Sequence, residues 1–417
     1  MSPKSGSAFV ASDLLAQANR VLPDAVELRR AIHHHPELGL ILPRTQAAIV
    51  DALRELNLEV RAGDNVSSVV ADLHGTPTHD ERVILLRADM DALPMSEDTG
   101  LPYASEVDGA MHACGHDAHV AMLVAAARLL ALRTADLHGT VRFMFQPGEE
   151  GFHGARHMID AGLLEQPNVD AAFALHVAPN LPSGSISTRG GALMASADVI
   201  DILVTGKGGH ASTPYLANDP MPVAAEIVQA LQVMVTRRIN AFDPVVVTIT
   251  KMTAGTTSNV IPESVHLLGT LRAVSESGRS LATDGIERVA TSIAQAHEMH
   301  ADVTVVPGYP VTVNDDEFAK FALDVGRDLV GVDHVLEMPT PAMGAEDFSY
   351  VLQKRPGALA FLGVCPPGER PKRAHSCHSN RMMIDENGMQ TGIAMHSAVA
   401  LSYLADRTSS DVGQRVK

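Results

Sequence analysis

The residues of this sequence that could do chemistry are histidines, cysteines and carboxylates gathered in a few short segments. RADMDALP carries Asp89 and Asp91, AMHACGHDAHV carries Cys114 and His116, FQPGEEG carries Glu149 and Glu150, DAAFALH ends on His176, and AHSCHS carries His375 and His378. Imidazole nitrogen, carboxylate oxygen and thiolate are the donors that zinc-like ions take, and a catalytic site keeps one position open for water. Two adjacent ions clamping one water would supply a hydroxide-like nucleophile and polarise a scissile carbonyl, provided a base takes the water's proton. Of the twin glutamates, one can bind metal while the other stays free as that base. A thiolate near a helix N-terminus is expected to have a lowered pKa, which favours metal binding.

Each of these readings has a plainer rival. Twin glutamates seen alone are usually a solvated turn, and a lone Cys114 would be a small buried hydrophobe. Their position after apolar runs, with Cys114 two residues from His116, favours the metal site. The run His33, His34, His35 is the opposite case: three neighbours cannot all face one ion, and Pro36 draws His35 toward extended backbone. Structural or supporting roles suit them, and His112, His119, His153 and His157 stay unassigned.

The elements that must position these groups alternate. Residues 11–32 and 43–57 carry helical apolar spacing, and short apolar runs at Val83–Arg87, Val141–Phe145 and Ala171–Leu175 read as buried strands. Ala118–Leu132 is apolar all round, as a helix buried against a sheet would be. From about Ala195 the texture changes. VIDILVTG, VVVTITKM, SVHLLGTLRA and ADVTVVPGYP read as four strands, and Met221–Arg237 and Gly278–Met299 as two helices. The expected fold is therefore α/β, with a central sheet flanked by helices over residues 1–190 and 308–417, and an inserted α+β domain of two helices on a four-stranded sheet over 191–307. Ligands collect beyond the carboxyl ends of strands in open α/β sheets, which is where the candidate donors fall.

Composition narrows the partners. A chain of 417 residues exceeds one ordinary core, and 49 acidic against 32 basic residues, a formal charge of -17, give no footprint for nucleic acid or anionic lipid. No apolar run reaches the roughly 18 residues of a membrane span, and the N-terminus lacks a secretory pattern, so a cytoplasmic protein is expected. Cys114, Cys365 and Cys377 are too few and scattered for a disulfide framework.

With HHHPELG, GGHAS, TSNVIPE and GAEDFS added to the donor segments, the sequence from about residue 25 to 405 resembles the amidohydrolase branch of the aminoacylase and carboxypeptidase superfamily. That branch includes hippurate hydrolase, N-acyl-amino-acid amidohydrolases and plant hydrolases of indole-acetyl amino acid conjugates. The resemblance implies a metallo-exopeptidase-like catalytic domain and two divalent ions per subunit, with Mn, Zn, Ni and Co all candidates. It implies that Cys114 bridges the ions, that Glu150 and His378 complete one and His116 and His176 the other, that Glu149 is the general base, and that Asp91 orients a ligand such as His116. It further implies that His210 contacts the substrate and stabilises an oxyanion, in dimeric relatives at the neighbouring subunit's site, that Gly344 of GAEDFS lines the substrate site, and that the inserted domain serves as a lid or dimerisation module.

Asn259 and Arg272 lie thirteen residues apart, so their strands could run side by side and offer an amide and a guanidinium fork to a substrate carboxylate, the plainer reading of Arg272 being a surface arginine. The expected activity is hydrolysis of N-acyl amino acids to a carboxylic acid and a free amino acid. A metallo-dipeptidase or carboxypeptidase would use the same centre; a non-catalytic metal-binding relative would be expected to lack Glu149 or a ligand, and none is missing.

Overall fold

The computed structural model describes residues 7–77 and 82–405. Part of the N-terminal stretch read for a secretory pattern lies outside them. The chain divides into two compact units. One comprises Met1–Gly191, Asn314–Pro339 and Tyr350–Lys417; the other comprises Ala192–Val313 and Thr340–Ser349. No helix among the described residues is long and apolar enough to cross a membrane.

The first unit is built on an eight-stranded sheet. In spatial order its strands are Glu59–Ala62, Val69–His74, Gly139–Gln146, Arg82–Asp89, Ala171–Ala178, Gly357–Gly363, Ile186–Thr188 and Val335–Glu337. Four central strands run parallel: Arg82–Asp89 pairs in that sense with Gly139–Gln146 and with Ala171–Ala178, which pairs likewise with Gly357–Gly363. Their carboxyl ends therefore share one edge. Every residue of Gly139–Gln146 is buried, as expected of a strand covered on both faces. The helix His116–Ala131 is also buried nearly all round and packs on Arg82–Asp89, Ser7–His34 and Met389–Tyr403. The sheet and flanking helices are thus those expected from the sequence.

The entry to His116–Ala131 is fixed from behind by a buried ion network. Asp117 Oδ2 accepts from Arg29 Nε at 3.0 Å and from His33 Nδ1 at 2.8 Å, while His33 Nε2 lies 3.2 Å from Glu97 and Arg29 Nη1 2.7 Å from Glu386. Of the three consecutive histidines, His33 is buried here, whereas His34 reaches the carbonyl of Ala104. Burial works against charge on His33, yet Asp117 and Glu97 more than offset it and push the imidazole up to about 9 from 6.5. A group raised in the folded state stabilises fully below its unfolded pKa and ceases to do so as pH rises through the folded one. Replacing His33 by Gln should therefore cost about 3–5 kcal/mol near pH 6, the usual loss on breaking a buried pair, and far less above pH 9. Urea denaturation of both proteins at pH 6 and pH 9.5 checks this; an equal loss at both values would remove the charge from the argument.

The second unit is an antiparallel sheet in the order Val245–Thr253, Ser264–Ala273, Asp198–Thr205, His300–Pro307. Alternate residues, among them Ile200, Ile202, Val204, Val265 and Leu267, are buried in one core with Ile227 and Leu231 of Pro220–Arg238 and Ile286 and Ala290 of Glu276–Ala296. Asp219 and Ser275 cap the two helices by accepting from Met221 N–H and Gly278 N–H.

Candidate metal centre

The expected ligands of the first unit meet at the shared strand edge. His176 comes from Ala171–Ala178, and Glu149 and Glu150 from the turn after Gly139–Gln146. Cys114 and His116 flank Gly115, and His378 follows the long loop after Gly357–Gly363. Two glycines let the backbone approach. Gly115 has φ +82°, and a Cβ there would stand 2.4 Å from Val177 Cγ2; Gly148 has φ +71°, and a Cβ would stand 2.5 Å from Leu40 Cδ2. His378 itself adopts φ +68°, rare for a residue with a side chain, held by its N–H on the carbonyl of Ala113 at 2.8 Å.

The donor atoms form two triads that share one sulfur. Cys114, His116 and His176 form one; Cys114, Glu150 and His378 form the other, with the donor atoms of each triad within 4.8 Å of one another. Cys114 Sγ stands 3.4 Å from His176 Nε2, and His378 Nε2 stands 3.2 Å from Glu150 Oε1. His116 Nδ1 and the main-chain carbonyl of Asp91 are 2.8 Å apart, so the ring donates there and turns Nε2 to the other candidate donors. The Asp91 carboxylate points instead at the twin glutamates, where Oδ1 accepts from Glu149 N–H at 2.9 Å and Oδ2 from Glu150 N–H at 3.0 Å. It fixes the backbone of both glutamates, while its own carbonyl orients His116. The Glu149 side chain is buried beside this centre, grouped with His116 and Glu150 but in neither triad of Cys114.

The donor set fits divalent ions. His116 Nε2 is buried without a hydrogen-bond partner, although an unsatisfied buried polar atom costs about 1–3 kcal/mol. It stands 4.0 Å from Glu150 Oε1, and both face the same space as the shared sulfur. Burial opposes charge on His116, yet Asp89, Asp91 and Glu150 push it up to about 10. Such a concentration of negative potential is what a cation satisfies.

In the metal-free protein the contact of Cys114 with the Cys377 thiol, its burial and the nearby Glu150 and Glu149 hold it well above the ordinary thiol value, against the lowered value expected beside a helix N-terminus. Cys377 is pushed down to about 6 by the hydrogen bond to Cys114, with His176 and His378 helping against burial. Cys377 was not among the sequence candidates. Its only sequence signal is adjacency to His378.

In the second unit, His210 and Asn259 come together: Val260 of the short strand Val260–Ile261 pairs with His210 of Gly209–His210, and Ala211 N–H donates to Asn259 O at 3.0 Å. The strands of Asn259 and Arg272 do not run side by side, contrary to expectation. Arg272 lies in Ser264–Ala273, which pairs with Val245–Thr253 and Asp198–Thr205 instead. Pro262 has no N–H to extend the Val260–Ile261 ladder, and the chain begins a new strand in another sheet. Gly344 accepts from Ala195 N–H at 2.9 Å, next to Ser196, whose N–H donates to Ala273 O at 2.8 Å, which links Gly344 to the strand that carries Arg272. His210 Nδ1 accepts from Ser212 N–H at 3.1 Å, which leaves the proton on Nε2 of an exposed ring.

A parallel-stranded sheet edge holding two donor triads around one sulfur, with a carboxylate beside them, defines the class of metal-dependent hydrolases. The chain belongs to peptidase family M20/M25/M40, whose model matches residues 85–402. It is 37% identical over 382 residues to thermostable carboxypeptidase 1 of Saccharolobus solfataricus, covering 91% of this chain and 95% of that one. It is 40% identical over 340 residues to N-acetylcysteine deacetylase of Bacillus subtilis, covering 81% and 88%. The solved structure of the Bacillus subtilis YXEP protein, a dinuclear metal-binding peptidase of the M20 family, superposes with a TM-score of 0.80 at 34% identity, covering 93% of this chain and 99% of that one. The protein is a metal-dependent hydrolase acting on amide bonds.

Proposed function

We propose that the protein hydrolyses N-acyl amino acids to a carboxylic acid and a free amino acid, with Glu149 as general base and Cys114, His116, Glu150, His176 and His378 as ligands of two divalent ions, for which Mn, Zn, Ni and Co are candidates. The observation that supports this most is the Asp91 clamp, which holds Glu149 beside the two triads without making it a member of either. Bound ions would supply Lewis-acid polarisation of the scissile carbonyl and acidify a water. Glu149 takes the proton of that water and returns it to the leaving nitrogen. His210, protonated on Nε2, donates to the developing oxyanion. Asn259, Arg272 and Gly344 recognise the substrate, with the guanidinium of Arg272 on its carboxylate. The name of the Bacillus subtilis deacetylase supports an N-acyl amino acid, whereas that of the archaeal relative supports a second reading, a carboxypeptidase on the same centre.

We place the protein in the cytoplasm, with which its three unpaired cysteines agree. The same proposal includes a homo-oligomer joined through the second unit, whose sheet exposes Val199, Leu203, Val246, Met252 and Val306 on the face opposite its helices.

The deciding experiment is a hydrolysis panel of N-acetyl, N-benzoyl and long-chain acyl amino acids with free dipeptides and N-blocked peptides, after reconstitution with each metal. Turnover of the acyl amino acids well above that of any peptide is expected. The reverse order would make the protein a peptidase.

A further inference from the structure

His119 lies one helical turn beyond His116 and is 1% exposed. Its Nδ1 stands 2.5 Å from Asp89 Oδ1, and Val177 N–H donates to its Nε2 at 2.8 Å. The carboxylate can only accept, so the Nδ1 proton goes to Asp89 and Nε2 is bare. One tautomer alone satisfies both contacts. Asp89 is itself fully buried and held from the other side by Arg87 Nη1 at 2.6 Å, which in turn rests through Nε on Gln146 at 2.9 Å.

The far end of this chain reaches a candidate ligand. Val177 N belongs to the peptide that joins it to His176, and the carbonyl of Val177 accepts from His176 Nδ1 at 2.8 Å, leaving His176 Nε2 directed at Cys114. The His119 ring also packs against both candidate-ligand imidazoles, which themselves meet edge-on with centroids 6.1 Å apart. It stacks on His116 with centroids 5.5 Å apart and meets His176 edge-on at 4.9 Å. Asp89, His116 and His119 could be read as an ion site of their own, but both nitrogens of His119 are already engaged and no lone pair is left for a cation.

We propose that His119, locked in one tautomer by Asp89, is a positioning residue for the His116–His176 half of the metal centre: its ring packs against both imidazoles, and its hydrogen bond to Val177 N–H fixes the backbone from which His176 projects. The Glu150–His378 half has no such support from His119. This inference rests on the metal-centre reading and assigns the chain Arg87–Asp89–His119 to it.

The test is cobalt binding to the whole chain, read by metal analysis and by the visible absorption of Co(II), which reports ligand geometry independently of activity. His119→Phe keeps a ring against both imidazoles but loses both hydrogen bonds. It should weaken one of the two cobalt ions by about 10- to 100-fold, the usual cost of losing a group that orients a ligand, and alter the spectrum of that ion only. His119→Gln, whose amide offers one donor and one acceptor, should recover part of the affinity. Asp89→Asn provides a second route: its amide must face either Arg87 or His119 with a donor, and the same ion should be weakened. If His119→Phe does not fold, Asp89→Asn decides. Two ions bound with wild-type affinity and spectrum, or both weakened equally, would overturn the proposal. A wild-type chain that takes up no cobalt instead sinks the metal centre itself.

Discussion

Replacing Glu149 by Gln should leave both ions in place and abolish nearly all turnover. The amide keeps the shape of the side chain but cannot take a proton from water, and general-base catalysis contributes about 100-fold or more. The backbone should not move, because the N–H groups of residues 149 and 150 remain clamped by the two oxygens of Asp91. Metal content is the discriminating readout. Glu149 also shares a donor group with His116 and Glu150, so a role as ligand would appear as a lost ion together with lost activity. Full occupancy by metal analysis with kcat reduced at least 100-fold identifies the base; near-normal kcat with two ions bound removes Glu149 from the mechanism.

The candidate donors were legible in the sequence because most of them adjoin an element with a strong local signature. The apolar runs before Glu149 and His176 are strands, and the all-apolar helix after Cys114 is buried as its composition requires. Parallel pairing then brings their ends to one edge, a consequence of chain order in alternating α/β structure. Groups whose meaning depends on long-range packing were not legible. Cys377 approaches Cys114 across 263 residues, and nothing in AHSCHS distinguishes a thiol that touches a candidate ligand from one that does not. His119 had a local signal, three residues from His116 and so on the same helix face, but its role depends on Asp89 and Val177, brought in by two other strands. The pairing of Asn259 with Arg272 failed for the opposite reason. Spacing alone allows the two strands to lie side by side, and with Pro262 between them the chain enters another sheet.

The proposed recognition of a substrate carboxylate therefore rests on Arg272 more than on the pair. Arg272 is half-buried, and burial draws its pKa below the ordinary guanidinium value, with Asp198 only partly opposing. Asp198 is already engaged by Arg279, at 2.9 Å through Nε and 2.5 Å through Nη2. A partly desolvated guanidinium whose influencing carboxylate, Asp198, already serves another arginine is suited to an external anion, and the free carboxylate of an acyl amino acid is one. Arg272→Ala should remove a charge-assisted contact usually worth about 1.5–3 kcal/mol, a loss of roughly 10- to 150-fold in kcat/KM, with metal content untouched. The same variant should hydrolyse the corresponding amino-acid amide or ester, which lacks that carboxylate, almost as well as the wild type does. General damage to the second unit would lower both substrates together, because it would not distinguish a carboxylate from its neutral analogue. An equal loss on both, or no loss on either, places the carboxylate contact elsewhere and takes Arg272 out of substrate recognition.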